Sequence, residues 1–239
     1  MRMRVLLISD IHGNYEALKA VIDKVGRFDD GLVLGDLVDY GPDPDTVIDL
    51  IKSLGFRVIK GNHDEAAALN IDCGCGEKTH AVSVYTRQKI TLRKLSKNDL
   101  NWLRNLPYEA VISELDAVAV HASPKNKLYA YIYPWMGKEE IHRYIGEDVT
   151  SRYLLVGHTH YQFMEPITNE LILLNPGSVG QPRDGDWRAA YALIDTSEGT
   201  VTMGRVKYDV SKVTKKLKEI VRNRKYLLLL SSILQNGNI

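Results

Sequence analysis

Three times within its first 64 residues the chain repeats one pattern, a short apolar run followed by a loop of Gly, Asp, Asn and His. The runs are Val5-Leu6-Leu7-Ile8, Gly31 to Leu34 and Phe56 to Ile59. The loops are Ser9 to Asn14, Gly35 to Pro42 and Gly61 to Asp64. A continuous apolar run of this length suits a strand buried on both faces of a parallel sheet. Between the runs, Tyr15 to Gly26 places Ala17, Leu18, Val21, Ile22 and Val25 at helical spacing, with Asn14 as N-cap. Thr46 to Leu54 does the same with Val47, Ile48, Ile51 and Leu54. Strand, loop and helix in succession predict an α/β chain with right-handed crossovers. The loops then gather at the carboxyl ends of the strands, where open α/β sheets bind ligands.

The remaining chain extends this frame. Residues 65–107 read as mostly helical, an insertion over the loop edge, with Ala81 to Leu95 and Asp99 to Leu106 as its clearest parts. Tyr108 to Ile112 and Ala117 to Val120 form a strand pair that runs into His121. Lys138 to Ile145 is a short helix, and Tyr153 to Val156 a buried strand ending at Gly157-His158-Thr159-His160. Leu171 to Leu174 leads into the Gly/Pro-rich stretch Asn175 to Asp186, and Ala189 to Ile194 pairs with Thr200 to Tyr208 as a hairpin. Val210 to Arg222 is an amphipathic helix with a basic, solvated face. Leu227 to Leu230 continues it and covers either the chain's own core or a second subunit, so a homo-oligomer through this tail is one expectation. Residues 1–239 are expected to form a single domain.

Charge narrows the function. Lys and Arg number 31 against 30 Asp and Glu, so no basic excess points to nucleic acid. The basic start Met1 to Arg4 precedes an apolar run that ends at Asp10, too short for a signal peptide, and no stretch spans a membrane. A soluble, cytoplasmic protein is expected. Cys73 and Cys75 are the two cysteines. One intervening residue would strain a disulfide, and two thiols do not complete a zinc site, so they read as free thiols in a glycine-rich loop. His80 and His142 read as surface or helix residues.

Five loops, each after an apolar run, carry Asp10/His12, Asp36/Asp39, Asn62/His63, His121 and His158/His160. Carboxylate oxygen and imidazole nitrogen together suit divalent transition metals. With these residues in place, the chain resembles the calcineurin-like metallophosphoesterase superfamily. The signature D-x-H, G-D-x-x-D, G-N-H-[DE], H and G-H-x-H is complete as Asp10-Ile11-His12, Gly35-Asp36-Leu37-Val38-Asp39, Gly61-Asn62-His63-Asp64, His121 and Gly157-His158-Thr159-His160. Asn175 to Asp186 is similar to the branch of small prokaryotic phosphodiesterases and diadenosine-tetraphosphatase-like proteins.

The resemblance implies a four-layer α/β/β/α sandwich, two packed mixed sheets flanked by helices. It implies two metal ions bridged by Asp36, one completed by Asp10, His12 and His160, the other by Asn62, His121 and His158. Mn, Fe, Co, Ni and Zn all suit such a site, with Mn favoured for activity. A bridging hydroxide would attack a small phosphodiester or nucleotide, dinucleoside polyphosphates among them, with His63 as proton donor. Two divalent cations set against two carboxylates and a hydroxide leave a net positive site that favours a phosphate oxyanion. Asp39 is the implied partner of His63, and Asp64 the alternative.

Tyr40 stands where protein Ser/Thr phosphatases carry an Arg that grips phosphate, which argues against that activity. Arg183 is then a candidate phosphate contact, or else an ion-pair partner of Asp184 or Asp186. Asn14 is a candidate polar contact, and Tyr40 and Tyr131 are candidates to stack a base. The alternative to an enzyme is a protein-interaction scaffold of the same fold, whose known examples lack a catalytic His. His63 and a full ligand set argue against it.

Overall fold

Period-two alternation along the first strand sorts its side chains into two different cores. In the computed structural model, which describes residues 3–146 and 149–239, β1 (Arg4–Ile8) sends Val5 and Leu7 to one face and Leu6 and Ile8 to the other. It pairs in parallel with β2 (Asp30–Val33), which pairs in parallel with the short β3 (Arg57–Val58). The crossovers are α1 (Tyr15–Val25) and α2 (Pro44–Ser53). Four further helices follow: α3 (Asn62–Leu69), α4 (Glu77–Thr86), α5 (Leu92–Lys94) and α6 (Lys97–Arg104), with a π-helical stretch at Arg87–Thr91 joining α4 to α5.

A second sheet is built from β4 (Glu109–Ile112), β5 (Ala117–Val120), β6 (Tyr153–Leu155), β7 (Gln162–Pro166) and β8 (Ile172–Pro176), with α7 (Lys138–Ile145) on its outer face. The chain returns to the first sheet through β9 (Ala189–Asp195) and β10 (Thr200–Val206), and ends in α8 (Val210–Ile220) and α9 (Arg224–Asn236). Strand order is β10-β9-β1-β2-β3 in one sheet and β4-β5-β6-β8-β7 in the other. Both sheets are mixed: β9 runs antiparallel to β1, while β4 and β7 run antiparallel at the edges of the parallel trio β5-β6-β8.

Val5, Leu7, Leu32, Leu34, Ala119 and Leu155 pack between the sheets. Leu6, Ile8, Leu18, Val21, Ile48 and Ile51 pack under α1, α2 and the C-terminal helices. Leu154 and Leu173 pack under Ile141 and Ile145 of α7. This is the α/β/β/α layering implied by the resemblance.

Three local differences have physical causes. Asn62 and His63 lie in the first turn of α3 rather than in a loop, because the Asp64 carboxylate reaches back and accepts from the N-cap Gly61 N at 3.0 Å, tying off the start of the helix. Strand β7 has no apolar run to announce it; Gln-Phe-Met-Glu-Pro is a half-exposed edge strand, where polar residues and Pro are tolerated. The tail does not continue α8. Val221 turns extended and Asn223 caps a new helix by accepting from Tyr226 N. Helix α9 folds back and buries Leu230, Ile233 and Leu234, so the tail covers the chain's own core, with Leu228 left 61% exposed. No helix among the described residues is long and apolar enough to cross a membrane.

Candidate metal centre

The loops that leave β1, β2 and β6 turn through backbone that side chains rarely adopt. Nine non-glycine residues among those described have positive φ, and seven of them are Asp10, His12, Asp36, Asp39, Tyr40, His158 and His160. Such conformations cost free energy and persist where surrounding contacts enforce them, typically at functional sites. The backbones also approach closely. A Cβ on Gly61 would lie 2.1 Å from Asp36 Oδ1, and one on Gly157 would lie 2.0 Å from Ser9 Oγ, so both positions require glycine.

The side chains converge in two clusters that share Asp36. Asp10, His12, Asp36 and His160 bring one donor atom each within 4.8 Å of one another, and so do Asp36, His121 and His158. All six are buried. Backbone carbonyls fix three of the imidazoles: His12 Nδ1 donates to Val38 O at 2.8 Å, His121 Nδ1 to Leu34 O at 2.6 Å and His160 Nδ1 to Gln181 O at 2.6 Å. A carbonyl only accepts, so each Nδ1 carries a proton, and in its neutral form each ring turns its Nε2 lone pair inward. His12 Nε2 and His160 Nε2 then face each other at 3.2 Å with no proton to share. Asp10 Oδ1 and His158 Nε2 are buried with no hydrogen-bond partner. Asn62 donates through Nδ2 to Cys73 O at 2.7 Å, and its Oδ1 lies 3.1 Å from His121 Nε2. Facing lone pairs and orphaned buried acceptors fit a pair of cations, and the residues that would hold them are those the resemblance implied.

Electrostatics point the same way. Burial holds His12, His158 and His160 well toward the neutral form that coordinates, with Arg183 adding to the effect at His160. Burial also opposes the charge on Asp36, but His121 and His63 outweigh it and keep the carboxylate ionised; the same pairing outweighs burial at His121 and pushes that ring up to about 9.

His63 stands beside this centre. Its Nδ1 lies 2.9 Å from Asp39 Oδ2 and 3.3 Å from Ser83 Oγ, and its backbone N–H donates to Asp36 Oδ1 at 2.9 Å. Burial lowers its basicity, but Asp36 and Asp39 outweigh that and make it more basic than an ordinary histidine. Asp64 is turned elsewhere, accepting from the backbone N–H groups of Asp36, Leu37 and Gly61 at 2.8–3.0 Å. Asp39 also accepts from Arg87 Nε and Nη2 and from Thr91 Oγ1 at 2.8–2.9 Å. Sequence reasoning missed Arg87, Ser83 and Thr91. The available signal was a charged residue spaced three from both Val84 and Ile90 in a helical stretch.

The remaining candidates are placed as follows. Asn14 accepts from Ala17 N at 3.1 Å, as the expected cap, and donates to Gly180 O at 3.0 Å. Both ends of its side chain are thus committed to the fold. Tyr40 is 2% exposed, wedged against His12 and His63 with its hydroxyl 3.8 Å from Cys75 Sγ, which leaves little ring face for a base. Asp184 pairs with Arg205 and Asp186 with Arg188, so neither holds Arg183. Arg183 Nη2 donates to Gln181 Oε1 at 2.7 Å, and its Nε is buried without a partner. Tyr131 lies 4.2 Å from the His158 ring and begins a ladder: Tyr133 stacks near it at 5.8 Å, Trp135 stacks on Tyr133 at 4.6 Å, and Tyr161 meets both edge-on. These rings line a cavity of about 610 Å³ together with Lys78 and Arg183. His80 is at the surface, paired with Asp72, and His142 is exposed on α7.

Residues 3–199 match the family model of the calcineurin-like phosphoesterase superfamily domain. The chain belongs to that superfamily. This phosphoesterase is 30% identical to an uncharacterized protein of Methanocaldococcus jannaschii over 94% of each chain. A crystal structure of a metallophosphoesterase from Sphaerobacter thermophilus superimposes with a TM-score of 0.80 at 29% identity, over 99% of this chain and 100% of that one. Half of the chain is 34% identical to a symmetrical bis(5'-nucleosyl)-tetraphosphatase of Erwinia tasmaniensis, of which the match spans 44%.

Proposed function

We propose that this metallophosphoesterase hydrolyses small phosphodiesters of nucleotide type, dinucleoside polyphosphates among them. The observation that carries the reading is the continuity of the site. The His158 ring touches Tyr131, the aromatic ladder runs outward from Tyr131, and Arg183, whose backbone N donates to His160 O at 3.4 Å, lines the ladder's cavity. Aromatic faces stack nucleobases, and a guanidinium with an unused N–H binds phosphate oxygens. A substrate with phosphate at one end and a base at the other matches that order.

Asp10, His12, Asp36 and His160 would hold one ion, and Asn62, His121, His158 and the shared Asp36 the other. When bound, such ions supply Lewis acidity, drawing charge from the phosphoryl group and easing deprotonation of an attacking water. The chain's own residues do the rest. Arg183 orients the phosphate, and the ladder holds the base. Protonated His63, aligned by Asp39, gives its proton to the leaving oxygen as the phosphorus–oxygen bond breaks, and the water's oxygen forms the new bond. The water's proton passes to solvent. Manganese is the ion we assign for activity, because a mixed nitrogen and oxygen site admits it. The two free thiols suit a reducing cytoplasm.

The test is turnover by manganese-loaded protein across a nitrophenyl monoester, its bis-ester, a cyclic nucleotide, ATP and diadenosine tetraphosphate. The reading expects a nucleotide diester to exceed the nitrophenyl esters in kcat/KM. Equal kcat/KM across the panel would remove the nucleotide assignment.

A further inference from the structure

A second set of metal-type donors lies beside the Asp36-centred clusters, and the proposed mechanism leaves its sulfur atoms unused. Cys73, Cys75 and His63 bring one donor atom each within 4.8 Å of one another. Both cysteines are free, Cys73 buried and Cys75 half-buried. Two thiols separated by one residue are too few for a metal, but the fold adds the third ligand from α3.

The loop that carries the thiols is held in place. Gly74 turns at φ +59°, and a Cβ there would meet the Tyr129 ring at 3.0 Å. Gly74 N donates to Asp72 Oδ1 at 2.7 Å, the same Asp72 pairs with His80 at 2.7 Å, and Cys73 O accepts from Asn62 Nδ2 at 2.7 Å. Cys73 Sγ lies 3.3 Å from Ser83 Oγ, and Tyr40 OH points at Cys75 Sγ from 3.8 Å. The sulfurs therefore face the pocket that His63 occupies, so little ordering remains for an ion to impose.

Two thiolates and one imidazole with an open fourth position are a zinc donor set. They are softer than the carboxylate, amide and imidazole donors around Asp36, and thiolate softness selects zinc over manganese. Charge agrees, since two thiolates neutralise one divalent ion, and Arg87 already balances Asp39 next door.

We propose that Cys73, Cys75 and His63 form a zinc site that inhibits the enzyme by capturing its proton donor. Binding deprotonates both thiols and the His63 ring nitrogen it occupies, and releases these protons to solvent. A metal on His63 Nδ1 displaces the Asp39 contact, and one on Nε2 occupies the proton-donating position. Either way, phosphoester hydrolysis that depends on His63 stops while the Asp36-centred clusters remain intact. The inhibitory consequence rests on the proposed function; the binding does not.

The experiment uses full-length protein loaded with manganese, its thiols counted as reduced, and titrated with Cd²⁺ as a spectroscopic stand-in for zinc. The expected result is a thiolate-to-metal charge-transfer band that saturates at one added ion per chain. Turnover of a substrate with a poor leaving group falls in parallel by about 100-fold, the scale of a lost general acid. Cys75→Ser and Cys75→Ala lose the band and stay within about twofold of their cadmium-free turnover. No band from fully reduced wild-type protein, or an equal band in the variants, overturns the site. Equal inhibition of wild type and variants assigns the effect to the Asp36-centred clusters and overturns the regulatory role. A saturating wild-type band in protein that hydrolyses nothing supports the site while contradicting the proposed function.

Discussion

His63 Nδ1 lies 2.9 Å from Asp39 Oδ2, and that same carboxylate oxygen takes two more bonds from the Arg87 guanidinium. The carboxylate is buried and cannot swing away, so it fixes the ring's tautomer and its direction together. His63 and Arg87 thus share one anchor, which separates the catalytic from the structural consequences of mutation.

His63→Asn leaves Asp39 paired with Arg87 and should fold with unchanged metal content. Turnover should fall by about 100-fold or more on substrates with poor leaving groups and much less on nitrophenyl esters, whose leaving group needs little protonation. Equal losses across leaving groups would remove the proton-donor role.

Asp39→Asn acts on both partners. It leaves Arg87 buried without its counter-charge and should cost about 3–5 kcal/mol in a urea unfolding titration. His63→Asn should cost far less in the same titration. Similar unfolding midpoints for the two variants would contradict the shared-anchor account.

Metal loading should stabilise the fold, because it relieves the facing lone pairs of His12 and His160 and the orphaned Asp10 Oδ1. An ion at about 100 times its dissociation constant adds about 2.7 kcal/mol, and each kcal/mol moves the midpoint of a chain this size by about 2–4 °C. Differential scanning calorimetry should show a drop of about 5–10 °C for each ion that chelation removes. An unchanged midpoint would mean that the clusters do not bind metal when folded.

Trp135→Ala removes an exposed rung of the ladder and touches no residue of the metal clusters. If bases stack there, KM for a nucleotide diester should rise by about 5- to 150-fold, since one stacking contact carries about 1–3 kcal/mol. Kinetics on bis-nitrophenyl phosphate should not change. A parallel rise for both substrates would place the effect in the fold instead.

How much of this was legible in the sequence depended on the range of the interaction. Asp10, His12, Asp36, His158 and His160 each follow an apolar strand by a few residues, so local pattern places them at one sheet edge. The other strands were legible for the same reason, except for β7, whose Gln162, Met164 and Glu165 carry no strand period; their division into two packed sheets came only from the resemblance. Arg87 lies 48 residues from Asp39, on a helix whose own pattern says nothing of its partner. The link between His63 and Cys73 needed α3 and the loop after it to be seen together. The tail was ambiguous because Leu227 to Leu230 fits one long helix as well as two; the extended backbone at Val221 decides between them.

The most direct test of the account is anomalous diffraction from crystals grown with manganese. It should show two peaks, one contacted by Asp10, His12 and His160, the other by Asn62, His121 and His158, with the Asp36 carboxylate touching both. A single peak, or two peaks that do not share Asp36, would contradict the dinuclear centre on which the proposed hydrolysis depends.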